Sequence, residues 1–139
     1  MYKNSEGYFC PTEGAAISNL MREYRREQKR KYADKNRKKV YVASRYAGDV
    51  KVNAEAAANY CRHVIRKGYM PIAAHLMYPV ILDDNDPAQR ELGMLFGLSL
   101  LSVCDEVWVF GPVSTGMEQE IREAKKLHIP VRFIKEAGA

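Results

Sequence analysis

The stretch Lys39-Val40-Tyr41-Val42-Ala43-Ser44-Arg45-Tyr46-Ala47-Gly48-Asp49 decides the fold, because the sequence pattern changes character twice within it. Val40 to Ala43 is a short apolar run rich in β-branched and aromatic residues, the composition of a strand buried on both faces. Ser44 to Asp49, with Gly48 inside it, reads as a loop, and Asp49 is suited to capping a following helix. Val52, Ala56, Ala57, Tyr60, Val64 and Ile65 then recur at helical spacing, and Gly68 is suited to the left-handed position that closes the helix. A strand feeding a helix in this way opens a βαβ unit.

Downstream the alternation repeats. Tyr69 to Ala74 reads as a second strand, and Pro71, which cannot donate a ladder hydrogen bond, puts it at an edge beside the first. His75 to Asp86 is a longer loop carrying Pro79 and the run Asp83-Asp84-Asn85-Asp86, and loops of this length often line sites. Asp86-Pro87 starts a helix with a cap and a first-turn proline, whose expected buried stripe is Leu92, Leu95, Phe96, Ser99, Leu100 and Val103. Glu106 to Phe110 is a third strand, Gly111 to Gly116 a loop, Met117 to Leu127 a helix and Val131 to Ile134 a last strand. The order β-α-β-α-β-α-β predicts an α/β fold: a Rossmann-like doubly wound, mostly parallel sheet of four or five strands with helices on both faces. Ligands of such sheets bind at the carboxyl ends of the strands.

Working back toward the N-terminus, the expected boundary separates a basic helical extension, residues 1–38, from the α/β domain, residues 39–139. Thr12 after Pro11 is suited to cap a short amphipathic helix with Ile17, Leu20, Met21 and Tyr24 on one face. Arg25, Arg26, Lys29, Arg30 and Lys31 continue it with almost no apolar face. Arg22 to Lys39 holds ten Lys or Arg against three acids, so this segment carries +7 and the rest of the chain −2 of the net +5. Such a run could engage nucleic acid electrostatically; solvated surface charge is the plainer expectation.

The 139 residues, 47% of them hydrophobic, suffice for one packed domain and an appendage. No apolar run approaches the roughly 18 residues of a membrane span, and the first residues lack the order of a signal peptide, so a cytoplasmic protein without a membrane partner is expected. Cys10, Cys61 and Cys104 are widely spaced, with no CxxC pair and no adjacent His, which predicts reduced thiols and no metal site. GxGxxG after the first strand and a Walker GK[ST] are both absent, which disfavours NAD binding and ATP hydrolysis; no cofactor is expected.

Two loops at strand carboxyl ends carry the candidate binding residues. The first offers Ser44, Arg45, Tyr46, Gly48 and Asp49; Arg45 is either a forked donor to phosphate or a plain surface charge. The second offers Gly111, Ser114 and Gly116, whose glycines and hydroxyl would let a helix N-terminus approach an anionic or hydroxylated ligand, or would simply make a turn and cap. His75, at the end of the second strand, could contact a base or ribose, whereas His63 and His128 read as structural or exposed. Glu120 alone would be an acid near a helix start, favoured there by the macrodipole, and Tyr41 a strand aromatic.

Tyr41-Val42-Ala43-Ser44 before a loop, and Gly116-Met117-Glu118-Gln119-Glu120-Ile121 running into Ile129-Pro130-Val131, resemble the nucleoside 2-deoxyribosyltransferase superfamily. The chain is most similar to a phage and prophage branch of deoxyribosyltransferase-like proteins. That similarity extends through Asp83 to Pro87, Arg90-Glu91-Leu92-Gly93 and Cys104 to Gly111. The resemblance implies a glutamate nucleophile four residues after a glycine, which nominates Glu120 after Gly116, with Glu118 as the rival carboxylate. It implies that Tyr41 orients the nucleophile and that Ser114 lies beside the ligand's phosphate or 5′ end. It also implies a nucleoside or nucleotide ligand and a homo-oligomer, with Met77, Tyr78 and the helix of Leu92 to Leu100 as interface candidates. Asp84, Asp86 or Glu91 would supply the second acid. Where Met117 stands the family usually has threonine. This departure sets an inactive nucleotide-derivative binding module, a sensor or sequestering protein, beside the N-glycosidase or deoxyribosyltransferase reading.

Overall fold

The computed structural model describes residues 11–135, and Cys10 lies outside them. The chain divides into two compact units, 1–37 and 38–139. In the first, α1 is a single 25-residue helix, Pro11–Lys35. The expected cap Thr12 therefore lies inside the helix, and the basic run is helical as far as Lys35. Arg, Lys, Glu and Gln are strong helix formers, and Lys31 pairs with Glu27 one turn away at 3.1 Å. Asn36 ends the helix by turning its side-chain amide onto the carbonyl of Tyr32 at 2.7 Å. Ile17, Leu20, Met21 and Tyr24 are all exposed.

The second unit alternates as expected: β1 (Lys39–Ala43), α2 (Val50–Arg66), β2 (Met70–Ile72), α3 (Tyr78–Ile81), α4 (Pro87–Ser102), β3 (Glu106–Phe110), α5 (Thr115–Lys126) and β4 (Val131–Ile134). The four strands form one parallel sheet in the order β2-β1-β3-β4. Pro71 sits in the edge strand β2, where the lost ladder donor is tolerated. Both faces of the central strands are covered. Tyr41, Ala43, Val107 and Val109 join Leu101, Met117 and Ala124 from α4 and α5, while Val40, Val42, Trp108 and Phe110 join Val64 from α2. Alternate residues of one strand thus feed two cores, which is why β1 and β3 read as unbroken apolar runs.

The caps follow the local chemistry. The Asp49 carboxylate accepts from the N–H of Val52, and Asp86 accepts from Ala88. Gly68, at φ +91°, closes α2 in the left-handed region. At the amino end of the sheet Asp105 accepts from the Lys39 N–H at 2.7 Å and donates its own N–H back to the Lys39 carbonyl, which fixes where β1 starts.

Three expectations are corrected. The segment from His75 to Asp86 is not a plain loop, since it holds a 3₁₀ turn, Ala74–Leu76, and the short helix α3. Helix α5 starts two residues earlier than Met117 because Ser114 caps it. On α4, Leu92, Leu95, Phe96 and Ser99 are exposed, as is Val103 just past its end, and the helix turns Gly97 and Leu101 inward instead. Val52 and Ile65 of α2 likewise face outward.

Candidate functional site

In the sheet order, the chain leaves β1 toward β2 and leaves β3 toward β4, so a crevice opens above the carboxyl ends of β1 and β3. A cavity of about 700 Å³ occupies that position, a volume suited to a small ligand. Its walls come from the loop after β1 (Ser44 to Ala47), from Ala74 and His75 after β2, from α3 and α4, and from residues 112–120 at the start of α5.

The floor holds a half-buried glutamate. Met117, Glu120, Ile121 and Ala124 follow one another at i, i+3, i+4 and i+7 along α5, and the three apolar members belong to the core against the sheet. Glu120 is therefore on the inward phase of the helix, while Glu118 is exposed at the rim. One carboxylate oxygen of Glu120, Oε2, is buried and has no hydrogen-bond partner among the described residues. Tyr41 of β1 lines the same cavity, and its hydroxyl favours the ionised carboxylate. Burial pushes the Glu120 carboxyl up to about 7, against the pull of the Tyr41 hydrogen bond. Burial, and then the Glu120 charge, push the Tyr41 phenol well above its ordinary range, so it stays a donor.

Room for the phenol is made by a glycine. A Cβ on Gly97 of α4 would stand 3.3 Å from the Tyr41 hydroxyl and 3.5 Å from Ala74 Cβ. Gly93, one turn earlier, also lines the cavity. Gly97 thus lets α4 approach Tyr41 of β1, whereas a Cβ on Gly93 would meet Leu82 at 3.4 Å.

Across the cavity the buried Ser44 hydroxyl lies 2.9 Å from His75 Nε2. Burial pulls the His75 imidazole down to about 4, so the ring is neutral at neutral pH and shares one hydrogen with Ser44. Tyr46 tilts over the same ring at 6.3 Å, and the Tyr46 phenol is raised by burial and by the Asp84 charge. At the rim Arg45 spends its Nε on the Ala47 carbonyl at 3.2 Å, and Arg90 projects from α4.

Of the residues singled out in the sequence, Glu120, Tyr41, Ser44, Arg45, Tyr46, His75, Ser114, Gly116 and Met117 line this one cavity. Gly48, Asp49 and Gly111 do not. Gly48 (φ +104°) and Gly111 (φ +73°) turn the chain, and Asp49 is spent on its cap. Of the three acids considered as proton donors, only Asp84 borders the cavity; Asp86 caps α4 and Glu91 is exposed elsewhere. Ser114 Oγ accepts from the Met117 N–H at 3.4 Å, so this hydroxyl also serves the helix. Sequence reasoning missed the apolar wall of Tyr78, Leu82, Met94 and Leu98, together with Gln89, Arg90 and Gln119. The Gly93/Gly97 spacing was the one signal that could have turned α4 the right way. Among the described residues no group of His, Cys, Asp and Glu is arranged to hold a metal, and no helix is long and apolar enough to cross a membrane.

The fold and site are those of a Rossmann-like α/β protein with a cavity at its topological switch point. Residues 38–134 match the family described as Domain of unknown function (DUF7768), and the chain belongs to that family. None of the curated proteins matches this sequence. Among solved structures, the chain is similar to a 2-deoxyribosyltransferase of the psychrotolerant bacterium Bacillus psychrosaccharolyticus. The match has 15% identity, covers 68% of this chain and 70% of that one, and has a TM-score of 0.55. At this identity the likeness shows a shared fold.

Proposed function

We propose that this protein cleaves or transfers across the N-glycosidic bond of a nucleoside or nucleotide, with Glu120 as nucleophile. The observation that carries the reading is a glutamate on the inward phase of α5, at the floor of a cavity, with one oxygen buried and unpartnered among the described residues and the Tyr41 hydroxyl favouring its ionised form. A solvated surface acid has no reason to adopt that phase, and burying it without full hydrogen bonding is costly. Similarity of fold to a 2-deoxyribosyltransferase supports the same chemistry.

In this mechanism the ionised Glu120 carboxylate attacks the anomeric carbon, and the carbon–nitrogen bond to the base breaks. An acid delivers a proton to the departing base, and the sugar remains as an ester on Glu120. Water, or a second base, then attacks the same carbon and releases the carboxylate. Asp84 is the carboxyl at the cavity best suited to the proton-donor role. Tyr41 orients the nucleophile and, by donating, favours its ionised form. Neutral His75 with Ser44 supplies a hydrogen-bonding edge for base or ribose, and Arg45 a forked donor for a 5′-phosphate.

The α3–α4 surface supports a homo-oligomer. Met77, Val80, Ile81, Leu92, Leu95 and Phe96 are large apolar side chains exposed beside the cavity, and a second copy of the chain would cover them. Such a protein would act in the cytoplasm.

A second reading, a binding module without turnover, is favoured by Ser114 and Met117. The Ser114 N–H points at Met117 Sδ and its hydroxyl accepts from the Met117 N–H, so the start of α5 partly caps itself. Chromatography of the full chain incubated with nucleosides and 5′-monophosphates, with and without an acceptor base, separates the two. Base release or exchange that disappears in Glu120→Gln is the result expected. Unchanged substrates under saturation, with ligand binding retained, would favour the binding module.

A further inference from the structure

Helix α1 lies outside the residues that match the family, 38–134, and the cavity chemistry makes no use of it. Every side chain from Asn19 to Asn36 is exposed. At 1.5 Å per residue the helix is about 37 Å long. Its charges are sorted around the axis. At about 100° per residue, Arg22, Arg25, Arg26, Lys29 and Arg30 fall within an arc of about 140°. Glu23, Glu27 and Asp34 fall together within about 40° beside that arc. The acids are answered by other cations: Glu27 pairs with Lys31 at 3.1 Å and Asp34 with Arg37 at 2.8 Å. Among the described residues none of the five stripe cations makes an ion pair. A helix stabilised by surface charge alone would interleave its signs at i, i+4, whereas this one leaves one face uniformly positive.

We propose that this stripe docks α1 on double-stranded DNA through the phosphate backbone, without sequence preference. Four of the five cations are arginines, the forked donors suited to phosphate oxygens. A duplex offers one negative charge per about 1.7 Å of its axis, matching in density a cation stripe that repeats every turn. The arc carries no aromatic side chain on which unpaired bases could stack, which argues for duplex over single strand. A helix exposed all round fits the roughly 12 Å major groove of B-form DNA, whereas the deep, narrow groove of an RNA duplex excludes it. A bilayer is the poorer partner. Arg22 to Lys31 contains Tyr24 but no Leu, Ile, Val, Met or Phe, so the cationic stretch has almost no apolar face to bury. This inference does not depend on the reading of the cavity.

The test is fluorescence anisotropy of the full chain with a labelled mixed-sequence 20-base-pair DNA duplex between 50 and 200 mM salt. Five phosphate contacts give a log–log salt slope of about −4.5, which is a loss of about 500-fold in affinity across that range. The triple variant Arg25→Gln, Arg26→Gln, Lys29→Gln keeps good helix formers in place, so its far-UV circular dichroism should match the wild type. Its slope should fall to about −1.8. Lys125→Gln with Lys126→Gln, on α5, should leave binding unchanged. Absence of binding at 50 mM salt would overturn the proposal. So would an equal loss in the α5 variant, tighter binding to an RNA duplex or single strand of the same sequence, or binding to phosphatidylserine vesicles but not to DNA.

Discussion

Replacing Glu120 by Gln should make the protein more stable in alkaline solution, although it removes the group on which the proposed chemistry depends. Burial holds the folded-state pKa of Glu120 at about 7, above an ordinary carboxyl value of 4.5. The folded state therefore binds more protons than the unfolded state between those values. The stability associated with the neutral carboxyl is fully present below pH 4.5 and is lost as pH rises through 7. At 1.36 kcal/mol per unit, the ionised glutamate costs the fold about 3 kcal/mol above neutrality. Glutamine, neutral at every pH, escapes this cost. His75 acts in the opposite sense. Its folded-state pKa of about 4 lies below 6.5, so its contribution is full above 6.5 and is lost as pH falls toward 4. The two trends overlap in the wild type, so the informative quantity is the difference between the variant and the parent. Urea unfolding at pH 5 and pH 8.5 should give a Glu120→Gln advantage of about 1 kcal/mol at the lower pH, rising to about 3 kcal/mol at the higher. An advantage that does not change with pH would refute the claim that the carboxylate is buried and under-solvated.

Three further predictions concern the surroundings of that carboxylate. Tyr41→Phe removes the donor that favours ionised Glu120, so the acidic limb of the pH–rate profile should move upward from about 7 while base release slows. Gly97→Ala places a Cβ 3.3 Å from the Tyr41 hydroxyl; overpacking should lower stability by about 1–3 kcal/mol and depress kcat more than it raises KM. Arg45→Ala should weaken 5′-monophosphates by about 10- to 100-fold in KM while leaving unphosphorylated nucleosides unaffected, since a hydrogen bond to a charged group is worth about 1.5–3 kcal/mol. Steady-state kinetics on both substrate forms checks all three, with urea unfolding for the stability of Gly97→Ala.

Where one local rule sufficed, the structure could be read from the sequence. Asp49 and Asp86 cap the helices they precede, Gly68 closes α2 with a positive φ, and Pro71 confines β2 to the edge. The doubled apolar character of β1 and β3 announced a sheet covered on both faces. The inward face of α4 is not legible in the sequence for a physical reason. The helix is apolar nearly all round, so periodicity cannot choose its inward face, and the choice falls to the glycines that leave room for Tyr41 and the cavity. The expected loop after β2 conceals a helix too short to show a period. At the site, Glu120 could be told from Glu118 by its phase with Met117, Ile121 and Ala124. Gly48 and Gly111, in contrast, turn the chain at positive φ and do not line the cavity. The pairing of Ser44 with His75, separated by 31 positions, depends on β1 and β2 lying side by side and leaves no local trace.

The most direct test of the central claim is the mass of the chain itself. Full-length protein is mixed with nucleosides and 5′-monophosphates, quenched in acid, weighed intact and then mapped by peptide. The account predicts a glycosyl adduct on the peptide containing Glu120, accompanied by free base and absent from Glu120→Gln. Base release without an adduct, an adduct on Glu118, or turnover that survives Glu120→Gln would contradict it.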